Sequence, residues 1–381
     1  MSHPFSVTTC WCWLVRSRHT TSVSNALIST FSLDYTHMTS PLLRAGLVGF
    51  GFVAKVFHLP LLQASGRFEI THVVERTQSL SAAVLPRATI VRSLDDLLAT
   101  DVDLVVIVTP TNMHYAQAKA ALEAKKHVVV DKPFCVSHAE ALDLVATAKA
   151  NNVVLSVFHN RRWDSDFLTV QDLVQQKTLG DLQYAEIHYD RYRPEPKQNW
   201  RESPETLGGG LVYDLGSHLV DQMLRLFGTP ESIHADVQSQ RGANLNDDYF
   251  RLECRYADGL IVVLTAGMLV KELGPKFILR GSAGSFEKYG LDEQEAALRD
   301  GVSPHDAAFG VEPESIHGTL TRGETKTTVP SRRGDYIVFY RGVADAIEHG
   351  AAPPVSPEDA AHVIQIVETA KQTHRRTQED A

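Results

Sequence analysis

Three polar residues of this chain stand where they could move a proton or steady a charge: Lys132, Asp214 and His218. Lys132 lies in Asp131-Lys132-Pro133-Phe134, directly after the apolar run His127-Val128-Val129-Val130. That order puts an ammonium group at the C-terminal end of a strand that reads as buried, the edge at which open α/β sheets bind ligands. Pro133 disfavours helical geometry for the residue before it, so Lys132 is expected in an extended pose. Taken alone, the segment reads most simply as a surface lysine on a strand-to-helix loop. Asp214 and His218 follow Gly208-Gly209-Gly210, four residues apart in a helical pattern that runs to about Phe227, and so share a helix face. A surface ion pair between them contributes only ~0.2–0.5 kcal/mol. A metal site needs further ligands, and no third His, Asp or Glu at suitable spacing stands out. Proton transfer needs a group titrating near neutrality, which an imidazole with a reference pKa of about 6.5 supplies and an aspartate can orient. With Lys132 added, acid–base chemistry leads.

A cofactor for that chemistry is implied about eighty residues upstream. The apolar run Leu43–Val48 leads into Gly49-Phe50-Gly51-Phe52-Val53-Ala54, followed by an amphipathic helix through Leu61-Leu62 and a second strand from Phe68 to Val74. The first glycine permits a tight turn and the second lets the backbone approach a pyrophosphate. Ala54, in the third position, keeps helix and strand close, and the N–H groups at the helix start face the phosphates. The second strand ends in Glu75-Arg76. An acid there binds the adenosine ribose and favours NAD, whereas an arginine accommodates a 2′-phosphate and favours NADP. Register decides between them; the expectation is NADP in preference to NAD, with Arg76 as the phosphate contact.

The elements that position these groups fall into three stretches. Residues 1–40 are rich in Ser and Thr, with no acid before Asp34, and read as a disordered or transit-like extension, or as a mis-assigned start ahead of Met38. Residues 41–160 alternate apolar runs (Leu43–Val48, Phe68–Val74, Leu104–Val108, His127–Val130, Val153–Val157) with helical patterns, one of them opened by the capping box Ser137-x-x-Glu140. They predict a doubly wound parallel-sheet domain. Residues 161–381 begin with a helix from about Asp164 to Lys177. Alternating strands follow near 183–192, 233–238, 250–256, 260–264 and 276–280, and two helices close the chain, the last starting at Ser356-Pro357. This predicts an α+β domain with an open, mainly antiparallel sheet for substrate binding and for a homodimer or homotetramer contact.

Composition bounds the partners. A net charge of −9 with no basic cluster argues against nucleic acid. No run approaches the ~20 apolar residues of a membrane span. The four cysteines, Cys10, Cys12, Cys135 and Cys254, are too scattered for a disulfide framework or a zinc site. A reducing, cytoplasmic location is the simplest reading, mitochondrial if residues 1–40 are a transit peptide.

The glycine turn, the Asp131-Lys132-Pro133 motif and the Asp214-x-x-x-His218 helix, in that order, make the chain resemble the Gfo/Idh/MocA family of NAD(P)-dependent oxidoreductases, with Asp131 where glutamate is commoner. Lys55-Val56-Phe57-His58 and the segment from Ser156 to Phe167 look like the branch that includes NADP-dependent scyllo-inositol dehydrogenases. The resemblance runs from about Leu43 to the C-terminus. It implies that Lys132 meets the reacting hydroxyl and the nicotinamide ribose, that Asp214 and His218 line the substrate, and that His218 is the acid/base. It further implies cofactor contacts from Thr109, Pro110, Thr111, Asn112, His114, Asp131, Arg162 and Trp163. Asn160, Asp164 and Tyr192 would lie at the polyol or sugar, with Tyr192 and Trp200 forming an aromatic wall, although each aromatic taken singly reads first as core packing. Thr111 or Asn112 can also act as an ordinary helix cap, and an Arg–Asp pair around 162–164 can be purely structural. The expected reaction is reversible oxidation of a secondary alcohol on a cyclic polyol or sugar. The alternatives are a pyranose, glycoside or diol substrate, or a non-catalytic NADP-binding regulator of the same fold.

Overall fold

The computed structural model describes residues 41–197 and 199–379, so the expectations for residues 1–40 lie outside the described residues. Six strands form the first sheet: β1 (Leu43–Val48), β2 (Phe68–Val74), β3 (Thr89–Val91), β4 (Leu104–Ile107), β5 (His127–Asp131) and β6 (Leu155–Phe158). Their order is β3-β2-β1-β4-β5-β6 and every pairing is parallel. The strands are Val/Leu/Ile runs because both faces are covered; β4 and β6 are buried throughout. The covering helices are α1 (Leu59–Ser65), α2 (Leu94–Leu98), α3 (Thr111–Glu123) and α4 (His138–Asn151). The Ser137–Glu140 capping box is formed at the start of α4. The strand order reverses between β1 and β4, which opens a crevice at their C-terminal ends.

β3 had no counterpart in the sequence reading, and the fifth apolar run pairs from Leu155 rather than Val153, because two residues of it serve the turn out of α4. α3 starts at Thr111 with Pro110 at the cap and no side-chain capping bond, so neither Thr111 nor Asn112 caps it.

After α5 (Ser165–Gln175) comes β7 (Leu182–His188), and then α6 (Ser217–Phe227), β8 (Ser232–Gln238), β9 (Tyr249–Arg255), β10 (Ile261–Gly267), β11 (Phe277–Gly281) and β12 (Gly284–Lys288). The chain continues through α7 (Gln294–Arg299), β13 (Gly318–Arg322), β14 (Thr325–Val329), α8 (Ile337–His349) and α9 (Pro357–Glu379). The eight strands pair in the order β14-β13-β12-β11-β7-β10-β9-β8, antiparallel except for β7 with β10. The expected strand over 183–192 is regular only to His188; beyond it the chain stays extended and keeps backbone bonds to the 265–270 stretch, with Tyr192 bridging Leu269.

Two apolar cores result. One lies around the parallel sheet and takes in Tyr336 at the cap of α8, Phe339, Tyr340 and Val343 within it, and Ile364 of α9. The other joins α5, α6 and the rest of α9 to the large sheet through Phe167, Val220, Phe250, Phe277 and Val367. A buried polar network pins the segment after β6 between them. Lys276 Nζ donates to Asp166 at 2.6 Å and to Asp164 at 3.4 Å. The Tyr336 hydroxyl donates to Asp164 at 2.6 Å, and Arg161 bridges Asp164 and Glu295. Beside it, burial and then the Asp164 and Asp166 charges push the Asp292 carboxyl up to about 7.

Candidate active site

Three loops leave the C-terminal edge of the parallel sheet side by side, after β1, β4 and β5, and carry Gly49, Thr109 and Lys132. Gly49 has φ +95°, and a Cβ there would meet the Val108 carbonyl oxygen at 3.0 Å, so the turn between strand and helix needs glycine. Gly51 has nothing within 4 Å of the place a Cβ would occupy. That open space in front of a helix start suits the close approach of a diphosphate. The groove in front of it, about 550 Å³, is lined by Gly49, Phe50, Gly51, Glu75, Arg76, Thr109 and Pro110 among the residues named from sequence, and also by Arg92. These residues fit a nicotinamide dinucleotide. Phe52 is exposed beneath the Arg299 guanidinium, Val53 packs against the core and Ala54 is fully buried, as close helix–strand packing requires.

The structure separates Glu75 from Arg76. The Glu75 carboxylate accepts from the Leu80 N–H at 2.7 Å, from the Ser81 N–H at 2.8 Å and from the Ser81 hydroxyl. Burial raises its pKa, yet these bonds and the Arg92 charge hold it below the usual carboxylate range. Its oxygens are spent on the loop, which argues against Glu75 as a ribose ligand. Arg76 is exposed on the groove. Arg92, not anticipated from sequence, donates to the carbonyls of Glu75 (2.8 Å) and Gln78 (2.6 Å) and so shapes the same loop.

Lys132 Nζ donates to the Asp214 carbonyl at 2.8 Å and to its Oδ1 at 2.9 Å. Asp214 sits in a single π-helical turn, Val212–Gly216, directly before α6. Such turns interrupt regular helix geometry and recur at functional sites. Gly208 (φ +76°) and Gly210 (φ +91°) let the preceding loop press onto Thr111 and Asp247, where any side chain would collide. The Tyr213 hydroxyl ties this turn to the Val136 carbonyl at 2.6 Å. Thr111 is buried beneath Gly208 and Asn112 is exposed; neither lines the groove. His114 touches the carbonyls of Pro133 and Thr109, both at 2.8 Å, and so links the lysine loop to the groove. Burial lowers its pKa, and a neutral ring donates to only one of the two.

Burial raises the Asp214 pKa, but the charges of Lys132, Arg201 and Arg191 outweigh it and hold the carboxylate well below its ordinary range. The i, i+4 ion pair considered from sequence is not formed: Asp214 is turned to Lys132, with Arg201 at 3.8 Å. His218 is buried in the first turn of α6, and its Nδ1 has no hydrogen-bond partner among the described residues. Burial, then Lys132, Arg161, His159 and Arg191, push its pKa well down, so the imidazole is neutral. Its ring lies 6.4 Å from that of His159, which follows β6 and is also buried with both nitrogens unpartnered among the described residues. His159 was passed over in sequence, although it directly follows an apolar strand much as Lys132 does.

Asp131 is buried and accepts from His58 Nε2 at 3.3 Å, while His58 Nδ1 lies 2.6 Å from the Tyr340 hydroxyl. Burial raises its pKa, but the His58 bond and the nearby positive charges leave it lowered. It therefore fixes the strand end behind Lys132. Several other residues named from sequence are engaged elsewhere. Arg162 donates to both oxygens of Asp221 (2.6–3.1 Å) and to Asp359 (3.2 Å). Asp164 belongs to the network with Lys276 and Tyr336, and Trp163 packs on Phe339. Asn160 is buried at the same strand end. Tyr192 is half exposed beside Lys271, and Trp200 stacks under Arg201. Among the described residues no cluster of three or more His, Cys, Asp or Glu could hold a metal ion, and no helix is long and apolar enough to cross a membrane. Cys135 and Cys254 are free and buried.

Comparison with known proteins agrees with this architecture. Residues 43–159 match the oxidoreductase family's NAD-binding Rossmann fold, and residues 171–379 match that family's C-terminal alpha/beta domain. The chain is 39% identical over 339 residues to the scyllo-inositol 2-dehydrogenase (NADP(+)) of Bacillus subtilis, covering 87% of this chain and 94% of that one. It is also 39% identical to the uncharacterized oxidoreductase YdgJ of Escherichia coli, over 88% of this chain and 98% of the relative. The solved structure of Bacillus subtilis YvaA superposes with a TM-score of 0.84 at 38% identity, covering 88% of this chain and 97% of that one. An oxidoreductase from Bacillus cereus superposes at 0.80 with 34% identity, over 86% and 95%. With a dinucleotide-type groove, a lysine at the sheet edge and both halves of the family pattern in one chain, the protein belongs to the Gfo/Idh/MocA family of NAD(P)-binding oxidoreductases.

Proposed function

We propose that the protein catalyses the reversible oxidation of a secondary alcohol on a cyclic polyol or sugar, with NADP preferred to NAD. The observation that carries this reading is the Lys132–Asp214 contact at 2.9 Å, beside the buried neutral His218 and next to the glycine-turn groove. The named activity of the Bacillus subtilis relative points the same way.

The residues divide the work by charge. Lys132 presents a fixed ammonium to the reacting hydroxyl, so alkoxide character there is stabilised without reorganisation. Asp214 stays ionised, takes up part of that charge in the resting state and holds the ammonium in place. His218, neutral across the working pH range, accepts the hydroxyl proton; flanked by Lys132 and Arg161, its imidazolium gives the proton up again readily. Arg76 on the groove supports the NADP preference, with Glu75 withdrawn into its loop. A bound nicotinamide dinucleotide supplies the hydride chemistry. The large, mostly antiparallel sheet is the surface through which we expect copies to form a homodimer or homotetramer.

The test is reduction of NADP by a panel of inositols, pyranoses, glycosides and diols at alkaline pH, repeated with Lys132→Met. Turnover with a ring alcohol that depends on Lys132 supports the proposal. Clear NADP binding without turnover of any panel member refutes it in favour of a non-catalytic role.

A further inference from the structure

The extended chain beyond β7 carries a feature that the alcohol chemistry does not use. Arg191 N–H donates to the Gly267 carbonyl at 2.9 Å and Arg193 N–H to the Met268 carbonyl at 2.7 Å, while Val270 N–H returns a bond to Arg191 at 3.0 Å. Tyr192 bridges Leu269. Side chains alternate along extended backbone, so Arg191 and Arg193 share one side and Tyr192 takes the other. Their side opens on a cavity of about 140 Å³ that Asp214 also lines. Arg191 is near enough to depress the pKa values of both Asp214 and His218, so the cavity adjoins the reacting end of the site.

The charges around this cavity do not cancel. It is lined by five cations (Arg191, Arg193, Lys197, Arg201, Arg241) and three carboxylates (Glu202, Asp214, Asp247). Each carboxylate is already engaged. Asp214 holds Lys132, Asp247 holds Lys371 and the Val212 N–H, and Glu202 takes Arg241 at 3.3 Å and the Lys197 N–H. Arg241 is likewise satisfied, by Asp248 at 2.8 Å. By contrast the guanidinium groups of Arg191 and Arg193 and the Lys197 ammonium make no hydrogen bond or ion pair with any described residue. Arg191 only leans on the Tyr189 ring at 5.0 Å. Burial chiefly, and then the charge of Arg191, lower the Arg193 pKa despite the opposing charge of Asp214.

Guanidinium offers donors only, in a fork that matches two oxygens of a carboxylate or phosphate. A neutral hydroxyl can accept from a guanidinium but brings no charge to balance the unpaired cations, whereas an anionic group supplies both. Taking roughly 30 Å³ per water, the cavity has the volume of about five waters, enough for a phosphate or a carboxylate. We propose that the ring alcohol oxidised at Lys132 carries an anionic substituent, a phosphate or a carboxylate, seated between Arg191 and Arg193 with Lys197 and Arg201 flanking it. This deepens the alcohol-dehydrogenase reading and rests on it for the reacting end only.

The experiment has a binding arm and a turnover arm, both on the full chain loaded with NADP. Inorganic phosphate and acetate are titrated by calorimetry into the wild type and into Arg191→Gln/Arg193→Gln, with NADP affinity as the folding control. The proposal expects saturable binding of at least one anion and a loss of about tenfold or more in the variant. Phosphate binding indicates a phosphorylated substrate and acetate binding a uronate-like one. In the turnover arm, matched neutral, phosphorylated and carboxylated polyols and sugars are compared. An anionic member should exceed its neutral partner in kcat/KM by about tenfold or more, and the ratio should fall in the double variant, partly recover in Arg191→Lys/Arg193→Lys, and shrink as salt rises. Equal kcat/KM for neutral and anionic members, or no anion binding beyond that of the variant, overturns the inference while leaving alcohol oxidation intact. Anion binding lost in the variant but no turnover by any compound overturns the alcohol reading and keeps the anion subsite.

Discussion

Lys132→Met tests the site most directly, because the structure gives the lysine two separable tasks. Its Nζ is held by the Asp214 carbonyl at 2.8 Å and by the carboxylate at 2.9 Å, with side chains 16% and 24% exposed. In the transition state the same ammonium faces a developing alkoxide, and removal of one preorganised donor of that kind costs about 10²–10³ in kcat. Methionine keeps the bulk and removes the charge. The substitution also strips Asp214 of the largest charge that keeps it ionised, leaving Arg201 at 3.8 Å. A deserted partner costs about 1–3 kcal/mol, and the partial exposure of this pair places it near the lower end. A fall in Tm of about 1–2 °C is therefore expected alongside the kinetic loss. Adding Asp214→Asn separates the tasks: the thermal loss should be largely relieved while kcat stays low. The assay is formation of reduced nicotinamide with the best ring alcohol, with NADP affinity by fluorescence expected near normal. A near-normal kcat in Lys132→Met, or recovery of kcat in the double variant, would refute the electrostatic role.

Gly51→Val should leave Tm nearly unchanged, since nothing lies within 4 Å of the new Cβ, yet weaken NADP binding about tenfold or more by filling the cradle; loss of fold instead would show that the open space is structural. Arg76→Ala should lower the NADP-over-NAD ratio of kcat/KM by about 10–100-fold, read from paired kinetics, because one charge-assisted contact to the 2′-phosphate is lost; an unchanged ratio sinks the assignment. Asp292, with a folded pKa of about 7 against an unfolded value of about 4, binds the extra proton in the folded state, so its stabilising effect is present below pH ~4 and is lost as pH rises through 7. Denaturant titrations of Asp292→Asn should therefore show a flatter decline of stability across that window than the wild type. Because the His218 pKa is well below its usual value, the alkaline-directed rise of kcat/KM for alcohol oxidation should lack an inflection near 6.5; a clear one abolished by His218→Gln would contradict a neutral ring.

Much of this molecule is written locally. The Val/Leu/Ile runs, the Gly49–Ala54 turn, the Ser137 capping box and the Ser356-Pro357 helix start all depend on residues within a few positions of one another, and each is found where its pattern lies. The parallel order of the first sheet follows, because strands joined by single helices have few ways to pack. Lys132 at a sheet edge and Asp214 in a glycine-led helix were legible for the same reason. β3, with three residues, is too short to show a period, and β12, β13 and β14 carry too few apolar residues to show an alternating face.

What the linear chain left open was decided by distant partners. Glu75 and Arg76 are adjacent and equally polar, and only the hydrogen bonds from Leu80 and Ser81 turn one inward and leave the other on the groove. Arg162 reads like a site residue until Asp221, fifty-nine positions on, claims its guanidinium. α8 returns past the large sheet to bury Tyr340 against His58, behind Asp131. Asp214 and His218, four residues apart, look like a pair in sequence; in space Lys132, eighty-two positions before Asp214, takes the carboxylate, and burial with the neighbouring cations keeps the imidazole neutral. Residue type and spacing determine which groups are available for chemistry. Which of them face each other, and in what charge state, is set by burial and by neighbours that only the folded chain brings within hydrogen-bond reach.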